Sequence, residues 1–544
     1  MKKYIFLTVV ILTALGCNKE FLDRTPHDSL SSNKVWVSDK NAQTAVDGIY
    51  SSFARGAMYN FYYYITNIGP DGFGWVRGTA GLTQAQGQAT TLDGIFLSQY
   101  YLFYRTIRYA NDAIANLPDN ENLTKEKADR MLGEAKFLRG LCYFYLWDLY
   151  GGVILLDKPV SPSETYLPRN TAEEVRDFVI KDFSDAIDLL PVSYPDADNG
   201  RATKGAAIAM LGKTYLYAKQ WDKAAEQLGK LMTSPYSYKL VDDYADLFNY
   251  KTQPNTESVF DIQYIMLPGY GSSFDNMYGN RSYQNSGQDY SDVDLTSLKV
   301  YTNLDGSEID WSTMPERSNY ASDYLFGLDL IPWYESTFAN VDKRLPINVI
   351  MPGATYLGRS NVSFKLYYPY GSYAGATPPP LQTTFPDVAL IPWRKFVTTG
   401  MDNLYRADCP TDNPLIRYAD VLLMYAEAEN EASGATQEVY DAVNQVRNRA
   451  GLVNLPNGLS KDDMRRNIWL GRFREFIGEG SLYFDVKRWG TASTNDPIFG
   501  LNRDVLDFTG MKLFTKVFKE RDYLWPIPEL ERELNTNLTQ NTGW

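Results

Sequence analysis

The segment from Arg472 to Gly490 constrains the fold more than any other part of the chain. Apolar residues recur at helical spacing from Trp469 to Ile477, which places them on one face of a helix. Gly478 and Gly480 then interrupt that helix, and the same spacing resumes on a second one. The seam is flanked by charged residues of both signs: Arg472, Arg474, Glu475, Glu479, Asp485, Lys487 and Arg488. Because an unpaired buried charge is very costly, we expect these charges to pair inside a helix junction.

Glu475 and Glu479 admit a second interpretation, because glycosidases use two carboxylates as general acid and nucleophile. The ion-paired junction is the simpler one. The whole segment closely resembles the C-terminal hallmark of the SusD/RagB-like family, which are cell-surface nutrient-binding lipoproteins of Bacteroidetes-type bacteria. In that family the hallmark is structural, which agrees with the ion-paired interpretation.

The first residues indicate where the protein is located. Met1-Lys2-Lys3 is a positive n-region, and the apolar run Ile5–Leu15 is shorter than the roughly 20 residues that cross a bilayer. This pattern is typical of a secretory signal peptide, which we assign to residues 1–16. Leu15-Gly16-Cys17 resembles the bacterial lipobox, where cleavage leaves a lipid-modified cysteine. We therefore expect lipidation of Cys17 and a polar tether over residues 17–35, with membrane attachment through the lipid alone.

Composition excludes several classes of function. The net charge of −13 opposes nucleic-acid binding, which depends on basic patches. The single histidine, His27, lies in the expected tether, so a Ser-His-Asp or Cys-His catalytic site and a histidine-ligated metal are disfavoured. Cys142 and Cys409 lie far apart in the sequence and form no disulfide framework. We expect Cys142 to be a small buried hydrophobe.

Helical periodicity dominates residues 36–250, which we predict to be an N-terminal lobe, and it predicts one long helix over Lys125–Tyr150. Gly212 and Ala224 have the spacing of a tetratricopeptide unit, in which small residues let two antiparallel helices approach. The segments Tyr418–Glu431 and Gln437–Ala450 predict a second pair. Stacked helix pairs of this kind bury their faces against their neighbours.

Between these pairs the helical pattern fades. Residues 251–415 are rich in proline and glycine, with strand-like runs at Val259–Tyr264 and Phe364–Tyr368. Long irregular segments in compact proteins usually carry function, so we predict ligand binding here. The helical pattern resumes at Arg417 and ends near Thr491, within a C-terminal region predicted over residues 416–544. The expected fold is therefore mostly α, a tetratricopeptide-like scaffold with a large loop-rich insertion containing short strands.

Two more blocks resemble the same family, Glu134–Val153 and the closing segment Tyr523–Trp544. The resemblance covers nearly the whole chain but is loose between Thr252 and Leu415. It implies a cell-surface, outer-membrane lipoprotein without enzymatic activity. It also implies an oligosaccharide ligand and a partner, a SusC-like TonB-dependent barrel over which the protein sits as a hinged lid.

The candidate ligand contacts follow from sugar chemistry. Tyr and Trp suit a sugar because each joins a flat apolar face to a polar handle. Trp75 lies in a glycine-rich loop with no helical stripe to join, and the family carries a binding aromatic and a nearby Asp in a comparable loop. Asp71 matches that Asp. In the variable region the candidates are two tryptophans, the tyrosine beside one of them and a hydrogen-bond donor: Trp311, Trp333, Tyr334 and Arg394.

Alternatives remain open at this stage. The ligand could be a peptide, as in some relatives, and a surface glycosidase or a purely structural scaffold are further hypotheses. Calcium is a candidate ion at the acidic run of Asp289, Asp292 and Asp294, or at the loop Asn303–Asp310. Neither has the spacing of an EF-hand loop, so the sequence predicts no cofactor.

Overall fold

The computed structural model describes residues 35–58, 61–74, 81–282, 290–358, 361–369, 373, 375–381, 388–398 and 408–544. The predicted signal peptide lies outside this part of the chain, as do the candidate residues Cys17, His27, Trp75 and Asp289.

The N-terminal half is helical, as predicted. The long helix over Lys125–Tyr150 has the bounds that its apolar spacing predicts, and Cys142 on it is fully buried. A capping box starts another helix, where Thr171 and Glu174 each satisfy the other's backbone N–H. The helices here are α1 (Asp39–Ser51), α2 (Phe61–Ile68), α3 (Leu82–Ala85), α4 (Gly94–Asn116), α5 (Lys125–Tyr150), α6 (Ala172–Leu189), α7 (Lys204–Tyr217) and α8 (Trp221–Lys230), with a π-helical segment at Ser52–Ala57.

The C-terminal helices continue the stack that α4 to α8 begin. Each of α4 to α8 packs against the next, and α8 then packs directly against a helix that starts at Tyr418. The predicted second pair is confirmed as α13 and α14, with bounds at Tyr418–Ser433 and Gln437–Arg449. The irregular region between α8 and α13 is therefore an insertion into one helical scaffold. The fold class predicted from the sequence is confirmed.

The tetratricopeptide-like pair α7 and α8 owes its close approach to glycine. A Cβ atom placed on Gly212 would lie 2.7 Å from Cγ of Leu228 on the facing helix, which is closer than real carbon atoms come. Ala224 is fully buried in the same interface. The sequence interpretation of these two small residues is confirmed.

The insertion is closed at its base by an antiparallel strand pair. β2 (Ser258–Ile262) pairs with a strand that ends at Arg417, immediately before α13. This second strand is β7 (Asn413–Arg417). The elements between β2 and β7 are α9 (Phe274–Met277), β3 (Asp292–Val293), α10 (Leu295–Leu298), α11 (Asp323–Thr337), α12 (Leu345–Asn348), β4 (Thr355–Leu357), β5 (Ser363–Lys365) and β6 (Ile391–Pro392). A further short strand, β1 (Gly72–Phe73), precedes the insertion and joins β3 and β6 in one sheet.

Helix α11 is not predicted from the sequence, which indicates only loops and short strands in this region. Apolar residues lie on all its faces, so no periodicity marks it, and Pro332 lies inside it. Its exposed side bears Tyr324, Leu325 and Leu328, while Leu330 is buried. The helix carries the candidate residues Trp333 and Tyr334.

The hallmark segment forms the predicted junction of two helices. α15 (Lys461–Phe476) ends just before Gly478, and α16 (Ser481–Arg488) begins just after Gly480. Both glycines have positive φ, at 78° and 72°, where other residues are strained. The chain then continues through β8 (Asp504–Leu506) and β9 (Lys512–Thr515) to α17 (Glu529–Leu534). The sequence pattern predicts that the last helix ends near Thr491. Helix α17 lies beyond that position, so this prediction is wrong.

Candidate ligand-binding site

The sheet β1–β3–β6 brings separate candidate segments to one edge. Both of its pairings are antiparallel, with Phe73 opposite Asp292 and Asp292 opposite Pro392. Gly74 just after β1, Ser291 just before β3 and Trp393 just after β6 therefore lie side by side. Adjacent strands are about 4.8 Å apart, so the chain leading to Trp75 and the chain leading to Arg394 are two strand spacings from each other.

The glycine-rich loop before Trp75 is held by hydrogen bonds from the C-terminal region of the chain. Lys516 donates hydrogen bonds from Nζ to the carbonyls of Gly69 and Gly72, the latter at 2.6 Å. Arg503 donates to the carbonyl of Pro70 and pairs with Asp294. Lys516 and Asp294 are fully buried, so these bonds fix the backbone of the glycine-rich loop.

Asp71 is part of this anchor. Its side chain is fully buried, and Oδ2 accepts a hydrogen bond of 2.7 Å from the backbone N–H of Gly478 in the hallmark. Burial raises the pKa of Asp71 to about 6, although the Gly478 N–H and the charge of Lys516 act in the opposite direction. Burial likewise lowers the pKa of Lys516 to about 7. Asp71 thus positions the loop, and its buried side chain makes no surface available to a ligand.

Arg394 lies at the mouth of a cleft of about 300 Å³. Its guanidinium is exposed and donates one hydrogen bond, from Nη1 to the carbonyl of Pro346 at 3.0 Å. A guanidinium has five N–H donors, and the other four have no acceptor among the described residues. The neighbouring Lys395 is fully buried and pairs with Glu479, and burial lowers its pKa to about 8. Asn249 and Tyr250 complete this cleft.

Trp311 and Trp333 form an aromatic pair at the surface. Their ring centroids lie 5.7 Å apart with the planes tilted by 55°, and both side chains are partly exposed. Trp333 Nε1 donates to Thr313 Oγ1 at 3.0 Å, and Phe338 packs its ring against Trp311. The pair thus joins two residues that stand 22 positions apart in the printed sequence and holds them in a defined orientation.

Tyr334 packs edge-on against the buried side of Trp333, with their ring centroids 5.0 Å apart. It is 1% exposed, and its hydroxyl donates a hydrogen bond of 2.8 Å to the carbonyl of Phe508. Adjacent residues on a helix point about 100° apart, which is why Trp333 reaches the surface and Tyr334 reaches the core. Tyr334 is therefore a packing residue, and its buried ring is not available for direct contact with a ligand.

The two hallmark glutamates are committed to ion pairs. Glu475 is fully buried and pairs with Arg417 at 2.5 Å, with Arg344 at 2.8 Å and with Arg449. Burial favours the neutral acid, but the guanidinium groups outweigh it and hold the pKa of Glu475 well below its ordinary value. Glu479 pairs with Lys395 and Arg417. The pairing predicted from the sequence is confirmed for both glutamates. It is wrong for Arg474, which is buried and donates from Nε to the carbonyl of Val300, with no ion pair among the described residues.

The acidic candidates for calcium have other partners. Asp294 pairs with Arg503 and caps α10, while Asp305 accepts hydrogen bonds from the backbone and hydroxyl of Ser307. Asp310 is bonded in the same way to Ser312. Within the described ranges, the structure contains no group of three or more His, Cys, Asp or Glu side chains placed to hold a metal ion.

A tyrosine-lined cleft is absent from the sequence predictions. One half has a volume of about 370 Å³ and is lined by the aromatic residues Tyr50, Phe53, Tyr264 and Tyr270. The other half measures about 300 Å³ and is lined by Tyr194, Tyr236 and Tyr238. We call the two halves together the tyrosine cleft. Its residues come from α1, a loop before α7 and the start of the insertion, so no local sequence pattern marks it.

None of the helices in the described part of the chain combines the length and the apolar character needed to cross a bilayer.

Comparison with known proteins places the chain in a family. A family model described as "SusD family" matches residues 256–544, and one described as "Starch-binding associating with outer membrane" matches residues 20–216. SusD-like protein P2 of Formosa agariphila is 26% identical over 99% of this chain and 99% of its own length.

Solved structures share the fold. A SusD-like carbohydrate binding protein from Bacteroides fragilis superposes with a TM-score of 0.78 at 23% identity, covering 93% of this chain and 100% of that one. Surface glycan-binding protein A from Bacteroides thetaiotaomicron, solved with laminarihexaose, superposes with a TM-score of 0.68 at 18% identity, covering 93% and 99%. Since the SusD family model matches more than half of its residues, this chain belongs to the SusD family.

Proposed function

We propose that this chain is a lipid-anchored cell-surface protein that binds an oligosaccharide and delivers it to a TonB-dependent outer-membrane transporter. The observation that carries the binding step is the partly exposed Trp311–Trp333 pair. A sugar ring has an apolar face that packs on an indole and hydroxyl groups that need polar partners. A fixed pair of tilted indoles suits that shape.

Further contacts come from the sheet edge. Arg394 supplies free N–H donors for hydroxyl oxygens beside a cleft of about 300 Å³. Trp75 follows the loop that Lys516 and Asp71 hold in place, and we propose it as a second stacking surface. A rigid anchor beneath a binding loop reduces the ordering cost of binding.

The family comparisons support carbohydrate as the ligand class. One matching family model is described as starch-binding, and similar structures include a carbohydrate binding protein and a complex with laminarihexaose. Peptide remains the alternative ligand. We propose binding rather than catalysis, because the carboxylates of Glu475 and Glu479 are tied to buried cations and the cavity beside Glu479 measures only about 30 Å³.

The membrane part of the proposal rests on Cys17. A diacylated cysteine tethers a protein to a membrane while leaving its body free to move, as a lid over a transporter requires. Replacement of Cys17 by Ala is expected to move the protein from the outer-membrane fraction to the soluble fraction. Retention in the membrane fraction would contradict the lipid anchor. Co-purification of the native protein with an outer-membrane barrel tests the partner.

The ligand class is tested by titration calorimetry of the full chain against soluble starch, laminarihexaose and a mixed peptide library. Binding of at least one glycan, with its chain length unchanged after prolonged incubation, is the expected result. Binding of peptides alone would replace the glycan assignment, and shortening of the glycan would replace binding by hydrolysis.

A further inference from the structure

The two halves of the tyrosine cleft are adjacent. They share six lining residues, which form the boundary between them: Asn199, Gly200, Arg201, Phe260, Asp261 and Gln263. Each half falls in the size range of small-molecule sites, roughly 300–1,000 Å³. An extended ligand that crosses this boundary would contact both halves.

The walls of the cleft are aromatic. In one half, Tyr236 and Tyr238 stack on each other with their ring planes 5° apart, and both side chains are partly exposed. In the other half Tyr270 is 62% exposed, and the guanidinium of Arg55 lies 5.6 Å from its ring centroid. Tyrosine combines a large apolar face with a hydroxyl, the combination that suits a sugar ring.

The turn that carries Tyr270 is fixed in place. Asp408 Oδ1 accepts hydrogen bonds from the backbone N–H groups of Gly269 and Gly271, at 2.7 and 3.2 Å. The Tyr270 backbone also closes the turn with Leu267 and Ile265. Because the turn is held on both sides of Tyr270, that ring is available for contact without prior ordering of the backbone.

The charged side chains that line the cleft are nearly balanced in number, with Arg55 and Arg201 against Asp47, Asp198 and Asp261. Arg201 pairs with Asp47 at 2.7 Å and with Asp198 at 2.9 Å, and Arg55 lies against Tyr270. Phosphate and other anionic ligands need cations that are free to bind them. The lining therefore suits a neutral ligand better than a polyanion.

Polar groups for hydroxyls are present at the boundary between the halves. Gln263 is exposed there, and its side chain lies so close to Gly200 that a Cβ on that glycine would come within 2.4 Å of Oε1. A hydroxyl-rich occupant supplies groups that the exposed Gln263 amide can bind.

From this geometry we infer that the tyrosine cleft is a second binding site for a neutral oligosaccharide, separate from the Trp311–Trp333 pair. It rests on the proposed glycan-binding function but uses none of the residues assigned to it. A protein with two glycan sites on one rigid body holds a long polymer with greater avidity than either site alone.

The test uses calorimetry with laminarihexaose and with soluble starch. Two stoichiometric sites are expected in the wild type for whichever probe binds. The variants Tyr270→Ala and Gln263→Ala change exposed side chains, so they are expected to fold. Each should weaken one site by about three- to tenfold, as loss of one stacking or hydrogen-bonding contact implies. Tyr101→Ala removes a tyrosine of similar exposure, 57%, and serves as the control with no change.

Hydrogen exchange locates the site directly, with protection by the bound probe expected in residues 192–203 and 258–271. A single site that is lost in Trp311→Ala and unaffected by Tyr270→Ala would overturn the second site and leave the proposed function intact. A site lost in Tyr270→Ala and unaffected by Trp311→Ala would retain the cleft and overturn the role of the tryptophan pair. Absence of binding by both probes in the wild type would overturn both.

Discussion

The carboxylate of Asp71 accepts a hydrogen bond of 2.7 Å from the backbone N–H of Gly478, across 407 positions of sequence. The bond ties the glycine-rich loop before Trp75 to the turn between the two hallmark helices. Gly478 also lies against the indole of Trp393, where a Cβ would come within 2.7 Å of the ring. The hallmark thus supports the sheet edge at which the candidate ligand-binding segments meet.

Replacing Asp71 by Ala is expected to lower the free energy of unfolding by about 1–3 kcal/mol, because the N–H of Gly478 is left unsatisfied in the core. Asp71→Asn keeps an acceptor and should cost less. Urea unfolding measures both. Asp305→Ala, on an exposed turn, is the control and should change the unfolding free energy by less than about 1 kcal/mol. Equal losses at Asp71 and Asp305 would contradict the anchoring role.

Glu475→Gln is expected to destabilise the protein by about 3–5 kcal/mol, since it leaves several buried guanidinium groups without their charge partner. Chemical unfolding monitored by circular dichroism measures the change. The matched control is Glu226→Gln, whose partner Lys230 lies 2.9 Å away at the surface and is expected to contribute less than about 1 kcal/mol. A loss at Glu475 no greater than the loss at Glu226 would show that the junction does not depend on this charge.

Stability should decline below pH 4 because of Asp420. Burial raises the pKa of this carboxyl, but the charges of Lys213 and Arg472 lower it more, to about 2 in the folded protein. The unfolded value is about 3.9, so the folded state binds fewer protons in this window. Asp420 therefore contributes stability above pH 4, amounting to about 2 kcal/mol, which is lost as the pH falls towards 2.

The measurement is the free energy of unfolding as a function of pH in the wild type and in Asp420→Asn. The variant should be less stable at pH 6 and should lose less stability between pH 4 and pH 2 than the wild type. Parallel curves in this range would assign the acid sensitivity to other groups.

Gly212→Ala should destabilise the helical scaffold by about 1–3 kcal/mol, because the added methyl group overpacks the contact with Leu228. Gly48→Ala is the matched control. Gly48 also lies in a helix, but an added Cβ there meets no atom within 4 Å, so the substitution should stabilise the protein by up to about 1 kcal/mol. Thermal unfolding distinguishes these opposite signs, and stabilisation by both would contradict the packing account.

Local patterns predicted the parts of the fold that local physics determines. Apolar spacing marked α5 from Lys125 to Tyr150, and the balance of charge around Glu475 predicted its ion pairs. Helix α11 was not predicted because apolar residues surround its axis. Several of its faces carry apolar side chains, so no single apolar stripe marks the helix in the sequence. Periodicity detects a helix only when one face differs from the other.

The site was harder to predict because it depends on long-range contacts. Trp333 and Tyr334 are neighbours in sequence, yet one is at the surface and the other is in the core, which only the packing of α11 decides. The tyrosine cleft likewise forms where Tyr50 and Tyr264 meet, more than 200 positions apart. Nothing in either local sequence indicates the other partner.

The central claim is that the exposed indoles of Trp311 and Trp333 hold the glycan. Calorimetry with whichever of starch and laminarihexaose binds the wild type tests it most directly, using Trp311→Ala and Trp333→Ala together. Trp221→Ala, a partly buried tryptophan on α8, is the matched control. We predict that the double variant keeps the thermal midpoint of the wild type within a few degrees. Its affinity at one site should fall by at least about tenfold, since each aromatic contact contributes up to about 1.5 kcal/mol. Wild-type affinity at every site in a folded double variant would contradict the account.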